Sequence, residues 1–195
     1  MTVGFSVRLA RLCDTDHFVD FNQRVLFSEE SIRDPFCSSL RKELSYAINA
    51  VHELNDFVCF LLIKDSSQQI IGRGLINTRP TPDDYDICAY SREACDILAS
   101  KRCAVLGGDL IEPAFRDQGL HMLLIQARVD WAMEHSFNYL FVPIMRGNDK
   151  SLHNYQKLGA KPLGAKLFRY ETLVEIDLYG VSLFATQGVD DNDKG

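Results

Sequence analysis

Apolar and polar positions along the chain alternate between two periods, one of strands and one of helices. Phe57–Ile63 is apolar throughout and predicts a buried strand. The polar turn Asp65–Gln68 then leads into Gln69–Ile76, the returning strand of a hairpin. Ala104–Ile111 and Tyr139–Val142 read as further strands, and Gly107 and Gly108 suggest a bulge or a close backbone approach in the first of them. Val7–Ala10 predicts a short first strand, and Lys166–Ala185 alternates enough for two last ones. Phe18, Phe21 and Val25 recur at helical spacing, with Asp14 or Thr15 as N-cap. Phe36, Leu40, Leu44, Ala47, Ile48 and Val51 mark a second amphipathic helix behind Pro35. Leu120, Leu123, Leu124, Ala127 and Trp131 form the core stripe of a long helix, and residues 149–158 form a short one ended by Gly159. The breakers Arg79-Pro80-Thr81-Pro82 open a stretch, 79–101, that reads as a surface excursion with a short helix at Arg92–Ala99. Helices, a hairpin, then strand-helix-strand-helix-strands predict an α/β domain with a mixed sheet. The domain spans 1–187, and 188–195 reads as a solvated tail.

Composition narrows the function classes. The 195 residues are 46% hydrophobic and 25% charged, which suits one globular domain. With 21 Lys+Arg against 27 Asp+Glu the net charge is -6. That balance leaves no basic face for nucleic-acid phosphates or anionic lipid. No apolar run approaches the roughly 20 residues of a spanning helix. Met1–Ser6 lacks a basic region followed by an apolar one, so no signal peptide is expected and the protein is placed in the cytoplasm. The six cysteines (13, 37, 59, 88, 95, 103) contain no C-x-x-C pair and are expected to be reduced thiols, with Cys59 a small core residue. His17, His52, His135 and His153 have no metal-ligand spacing, and no metal is expected. A Gly-x-Ser-x-Gly elbow is absent, and Asp190–Gly195 lacks the spacing of a calcium loop.

The chemistry concentrates in Leu110–His121. A buried strand ends, the chain turns through Gly119, and a helix begins at once. N–H groups at a helix start form an anion site, glycine lets a phosphate approach, and Arg116 can add a charged contact. A tight turn beside a solvated arginine would read the same way. The spacings of a P-loop and of a dinucleotide fingerprint are missing.

A second segment decides the reading. After another strand comes Asn148-Asp149-Lys150-Ser151-Leu152-His153-Asn154-Tyr155-Gln156-Lys157-Leu158-Gly159. Over residues 102–161 the chain resembles the GNAT superfamily of acyl-CoA-dependent N-acyltransferases. That family carries a Gln/Arg-x-x-Gly-x-Gly/Ala loop before a long helix, matched here by Arg116, Gly119 and His121. Ile111-Glu112-Pro113 matches its apolar-x-Pro strand end, and Asn148, Ser151, Tyr155 and Gly159 match its downstream pattern. Two departures stand out. His121 replaces the small last loop residue and reads as a solvated side chain. Val105 stands where many relatives have a catalytic glutamate.

The resemblance implies a mixed, mostly antiparallel sheet of about six or seven strands with about four helices. Two parallel strands would splay to admit the pantetheine arm of acetyl-CoA, with Pro143 at the opening. Backbone groups of Asp109 and Ile111 would bind pantetheine, and an N–H near Asp109 would face the oxyanion. The N–H groups from Gln118 through Gly119, Leu120 and His121 to Met122 would hold the pyrophosphate, with Arg116 and Asn148 beside them. Arg146, Lys150 and Lys157 would add local positive potential. Tyr155 would protonate the leaving thiolate. Asp109, on the same strand parity as Val105 unless a bulge intervenes, is the candidate general base. The implied activity is acetyl transfer from acetyl-CoA to a primary amine by direct attack in a ternary complex. A longer acyl chain, delivered by CoA or an acyl carrier protein, and a non-catalytic CoA-binding module are the alternatives. The expected partner is a small-molecule or peptide amine, with no nucleic acid and no membrane, and a homodimer is compatible with the sequence.

Overall fold

The computed structural model describes residues 4–26, 57–80, 84–169 and 173–183. The second amphipathic helix and the tail expected from the sequence lie outside them. In chain order the elements are β1 (Phe5–Leu9), α1 (Thr15–Leu26), β2 (Phe57–Lys64), β3 (Gln69–Asn77), α2 (Arg92–Ser100), β4 (Cys103–Ile111), α3 (Leu120–Glu134), β5 (Tyr139–Met145), α4 (Asp149–Gln156), β6 (Lys161–Arg169) and β7 (Leu173–Ser182). Short 3-10 segments at Leu12–Asp14, Asp84–Ala89 and Pro113–Phe115 precede α1, α2 and the α3 loop. The strands form one seven-stranded sheet in the order β1-β2-β3-β4-β5-β7-β6. Every neighbouring pair is antiparallel except β4–β5. The expected mixed sheet with a parallel central pair is therefore the observed one.

Helices cover both faces. On one face α1 buries Phe18, Phe21 and Val25 against Cys59, Leu61, Ile63 and Ile70. On the other, α3 packs Leu124, Ile125 and Val129 over Phe60, Ile76, Ala104, Leu106, Leu140 and Val142. Burial on both faces explains why β2 reads as continuously apolar rather than alternating. Among the described residues, no helix is long and apolar enough to cross a membrane.

Two expectations are corrected. Residues 79–101 are not a surface excursion along their whole length. Ile87, Tyr90 and Ala94 are buried with Val105, Phe141, Leu163 and Leu178, so this segment roofs the sheet beside α1. Its apolar positions are interleaved with Asp, Glu and Arg and follow no single period, which hides the packing face. The cysteines are not all reduced, because Cys88 and Cys95 form a disulfide with a Cα–Cα distance of 4.5 Å. The Ser91 cap of α2, whose side chain accepts from the Ala94 N–H, folds the 3-10 turn back over the helix start and brings the pair together. Cys59 and Cys103 are buried free thiols, pushed by burial up to about 12 and about 11. Neither is a nucleophile at neutral pH.

Candidate active site

The parallel pair opens where the sequence reading placed a cleft. β4 and β5 pair only at Cys103–Tyr139, Ala104–Leu140 and Val105–Phe141, although β4 continues to Ile111 and β5 to Met145. One cause lies in β4. Its register on β3 shifts between Leu75↔Gly107 and Arg73↔Leu110, where Gly108 has φ +63°. A glycine there gives β4 one extra residue and bends it. The other cause lies in β5, where Pro143 has no N–H to offer across the gap. Beyond the bulge, Glu112 N–H donates to the Ile71 carbonyl at 2.9 Å. Alternation then turns the backbone of Asp109 and Ile111 toward the gap. The Ile111 carbonyl accepts from Arg116 Nε at 3.0 Å, so the arginine braces the loop against the strand end.

The bulge also reverses side-chain parity. Val105 faces the α2 side and is buried among Ile87, Tyr90 and Phe141. Asp109 faces α3 and α4, where it meets Arg128, His121 and Tyr155. The bulge is the exception that keeps Asp109 off the face of Val105, and the position where many relatives carry a glutamate holds a core side chain.

Asp109 is the hub of a buried polar cluster. Arg128, fully buried on α3, places Nη2 2.6 Å from Asp109 Oδ1. Its Nη1 donates to the carbonyls of Leu75 and Gly107, both at 3.3 Å. Tyr155 donates its hydroxyl to Asp109 Oδ2 at 3.1 Å and accepts from Arg128 at 3.3 Å. His121 meets the same Oδ2 through Nε2 at 3.0 Å, while its Nδ1 accepts from the Asn154 amide at 3.0 Å. This geometry places the imidazole proton on Nε2. His121 is not the solvated residue expected from sequence, since only 21% of its side chain is exposed. Gly74 makes the cluster fit, because a Cβ there would lie 2.7 Å from Asp109 Oδ1 and 2.8 Å from Arg128 Cζ.

The electrostatics follow from this packing. Burial pushes the Asp109 carboxyl up, but the Arg128 charge and the His121 contact outweigh it and hold it well below the usual range. Such a carboxylate is a poor proton acceptor. Burial, reinforced by the Asp109 charge, raises the Tyr155 hydroxyl above the ordinary phenol range. The ring is 1% exposed, so the hydroxyl serves first to hold Asp109.

The loop before α3 keeps its anion-site geometry. Gly119 caps the helix at φ 75°, and a Cβ built on it would meet nothing within 4 Å. Met122 N–H donates to the Gly119 carbonyl at 3.1 Å and Leu123 N–H to the same oxygen at 3.3 Å. The N–H groups of Gln118, Gly119, Leu120 and His121 therefore precede the helical ladder, at the positive end of a 15-residue dipole. Asn148 caps α4, accepting from the Ser151 N–H at 3.2 Å. Of the basic residues, Arg146 is paired with Glu175 and Asp177, and Lys150 with Asp117. Arg116 and Lys157 make no ion pair with a described carboxylate.

The family model of the acetyltransferase (GNAT) family matches residues 25–160. The chain belongs to the GNAT acetyltransferase family. No curated protein sequence matches it significantly. Solved structures resemble this GNAT domain over nearly its full length. Ribosomal-protein-S5-alanine acetyltransferase from Vibrio fischeri has a TM-score of 0.64 at 12% identity, covering 92% of this chain and 93% of that one. The Salmonella typhimurium protein yncA, solved with its cofactor acetyl-CoA, has a TM-score of 0.62 at 13% identity, covering 96% and 99%. Ribosomal-protein-S18-alanine N-acetyltransferase from Escherichia coli has a TM-score of 0.61 at 13% identity, covering 95% and 98%. Identities this low establish the fold alone.

The sequence reading of this GNAT domain missed its two buried arginines. Arg128 belongs to neither the core stripe nor the site that the sequence predicts. Arg73 sits between two glycines in an otherwise apolar strand and is 0% exposed. A charge embedded in an apolar run was the available signal, because such a group is rarely buried without a task.

Proposed function

We propose that the protein transfers an acetyl group from acetyl-CoA to a primary amine by direct attack in a ternary complex. The observation that carries this reading is the β4–β5 gap, bulged at Gly108, on a strand that leads through one short loop into the start of α3, where no side chain caps the N–H groups. Pantetheine would run through the gap along Asp109 and Ile111. The pyrophosphate would rest on the N–H groups of Gln118–His121, with Arg116 and Lys157 supplying charge. Asp109 N–H would donate to the thioester oxygen as negative charge develops there.

The amine nitrogen bonds to the acetyl carbon and loses a proton, the C–S bond breaks, and sulfur leaves with the bonding pair and gains a proton. Tyr155 and Asp109 act in that last step as parts of one cluster. In that step Tyr155 and the His121 Nε2–H both donate to Asp109 and hold it beside the bulge, while the proton shed by the amine reaches sulfur through water. The attacking amine arrives as the free base or sheds its proton to water, since Val105 offers no acceptor.

Buried Val105 also favours a second reading, a module that binds acetyl-CoA without turnover. A thiol-release assay with acetyl-CoA and a panel of polyamines, amino acids and peptide N-termini separates them. Acceptor-dependent release supports transfer. Thermal stabilisation by acetyl-CoA with no release under any acceptor supports the module.

A further inference from the structure

Arg73 is buried on the α1 side of β3, and no described carboxylate lies within ion-pair distance of it. Its Nε donates to Asn22 Oδ1 at 2.8 Å, and its Nη1 donates to the Gly108 carbonyl at 2.6 Å. Asn22, itself fully buried, is held in turn by donating to the Phe18 carbonyl of its own helix at 2.7 Å. Contact with the bulge is close enough that a Cβ at Gly108 would lie 2.8 Å from Nη1. α1 therefore grips the bulge through Asn22 and Arg73. Two arginines press on this bulge from opposite faces, Arg128 on Gly107 and Arg73 on Gly108, and among the described carboxylates Asp109 alone pairs with either of them.

Burying a cation with no counter-charge among the described residues is costly, so contacts to one carbonyl and one amide oxygen are a weak reason to keep it. A trans peptide points its C=O and N–H in opposite directions. Fixing the Gly108 carbonyl toward α1 thus fixes the Asp109 N–H away from it. The guanidinium polarises that same peptide and makes its N–H a stronger donor.

We infer that Arg73 is the positioning residue of the oxyanion site: held by Asn22, it locks the Gly108–Asp109 peptide and supplies the positive potential that the developing oxyanion uses. This rests on acetyl-CoA lying in the gap. Negative charge forming at the thioester oxygen then meets this potential only in the transition state, where preorganised positive potential is most effective.

The test uses acetyl-CoA labelled with ¹³C at the thioester carbonyl and needs no acceptor. Calorimetry first establishes that the wild-type protein binds acetyl-CoA; no binding overturns the acetyl-CoA reading itself. Infrared difference spectra then report the bound carbonyl. The wild-type protein lowers its stretching frequency relative to free acetyl-CoA. Arg73→Met abolishes most of that lowering with affinity changed by less than about threefold, and Arg73→Lys, which keeps charge but not the two-point hold, falls between. With any acceptor found by thiol release, Arg73→Met lowers kcat about 10²-fold, the scale of losing one oxyanion donor, while KM for acetyl-CoA changes little. Should Arg73→Met fail to fold, Arg73→Lys alone decides. A carbonyl frequency in a folded, acetyl-CoA-binding Arg73 variant equal to that of wild type overturns the inference and leaves the acetyl-CoA site standing.

Discussion

Replacing Asp109 by asparagine keeps the shape of the side chain and removes the charge that balances Arg128. Arg128 is 0% exposed and Asp109 20% exposed at the side chain, so solvent cannot substitute for the lost partner. Leaving one member of a buried pair uncompensated costs about 3–5 kcal/mol. The partial exposure of Asp109 places this case near the lower figure, about 3 kcal/mol. For a domain of this size that corresponds to a fall in Tm of roughly 6–12 °C. The pH dependence has a definite sign. Asp109 is depressed in the folded state, so its stabilisation is fully present well above the unfolded value of about 3.9 and is lost as pH falls through its folded value. Urea unfolding followed by circular dichroism should show a constant wild-type advantage from pH 7 to about pH 5 that shrinks in stronger acid. Asp109→Leu combined with Arg128→Met should recover most of the loss, because apolar pairs often replace buried ion pairs without penalty. An Asp109→Asn midpoint equal to wild type at pH 7 would show that Arg128 is compensated elsewhere and would refute the reasoning.

Gly119→Trp should lower acetyl-CoA affinity by at least tenfold, because the open space over Gly119 is where the pyrophosphate would lie. The strain of a side chain at φ 75° should cost only about 1–2 kcal/mol of stability, so calorimetry on a folded variant can decide. Tyr155→Phe keeps the ring and removes one donor to Asp109, so kcat should fall about tenfold or more with acetyl-CoA affinity nearly constant. Full kcat under conditions where chemistry limits the rate would make Tyr155 a packing residue alone.

What was legible in the sequence was local. The β2–β3 hairpin, the α3 stripe and the Arg116–His121 loop announce themselves through runs and spacings a few residues long. The glycines of β4 even signalled the bulge, yet its consequence could not be read. One extra residue at Gly108 moved Asp109 to the other face of the sheet, and a period-two argument cannot count a residue it does not see. Partners distant in the chain were equally hidden, as Arg73 meets Asn22 and Gly108 at separations of 51 and 35 residues. His121 looked solvated because nothing near it in sequence shows the Asp109 and Asn154 that flank its ring. The 79–101 segment misled for another reason: its breakers are real, but the three buried side chains behind them are enough to roof a sheet.

The central claim is that acetyl-CoA lies in the β4–β5 gap with its pyrophosphate on the start of α3, and amide chemical shifts test it most directly. Titrating ¹⁵N-labelled protein with acetyl-CoA should move the N–H signals of Asp109, Ile111, Gln118, Gly119, Leu120 and His121 first and furthest, with downfield shifts where hydrogen bonds form. Saturable shifts confined to other parts of the sheet, or none at millimolar acetyl-CoA, would contradict the account.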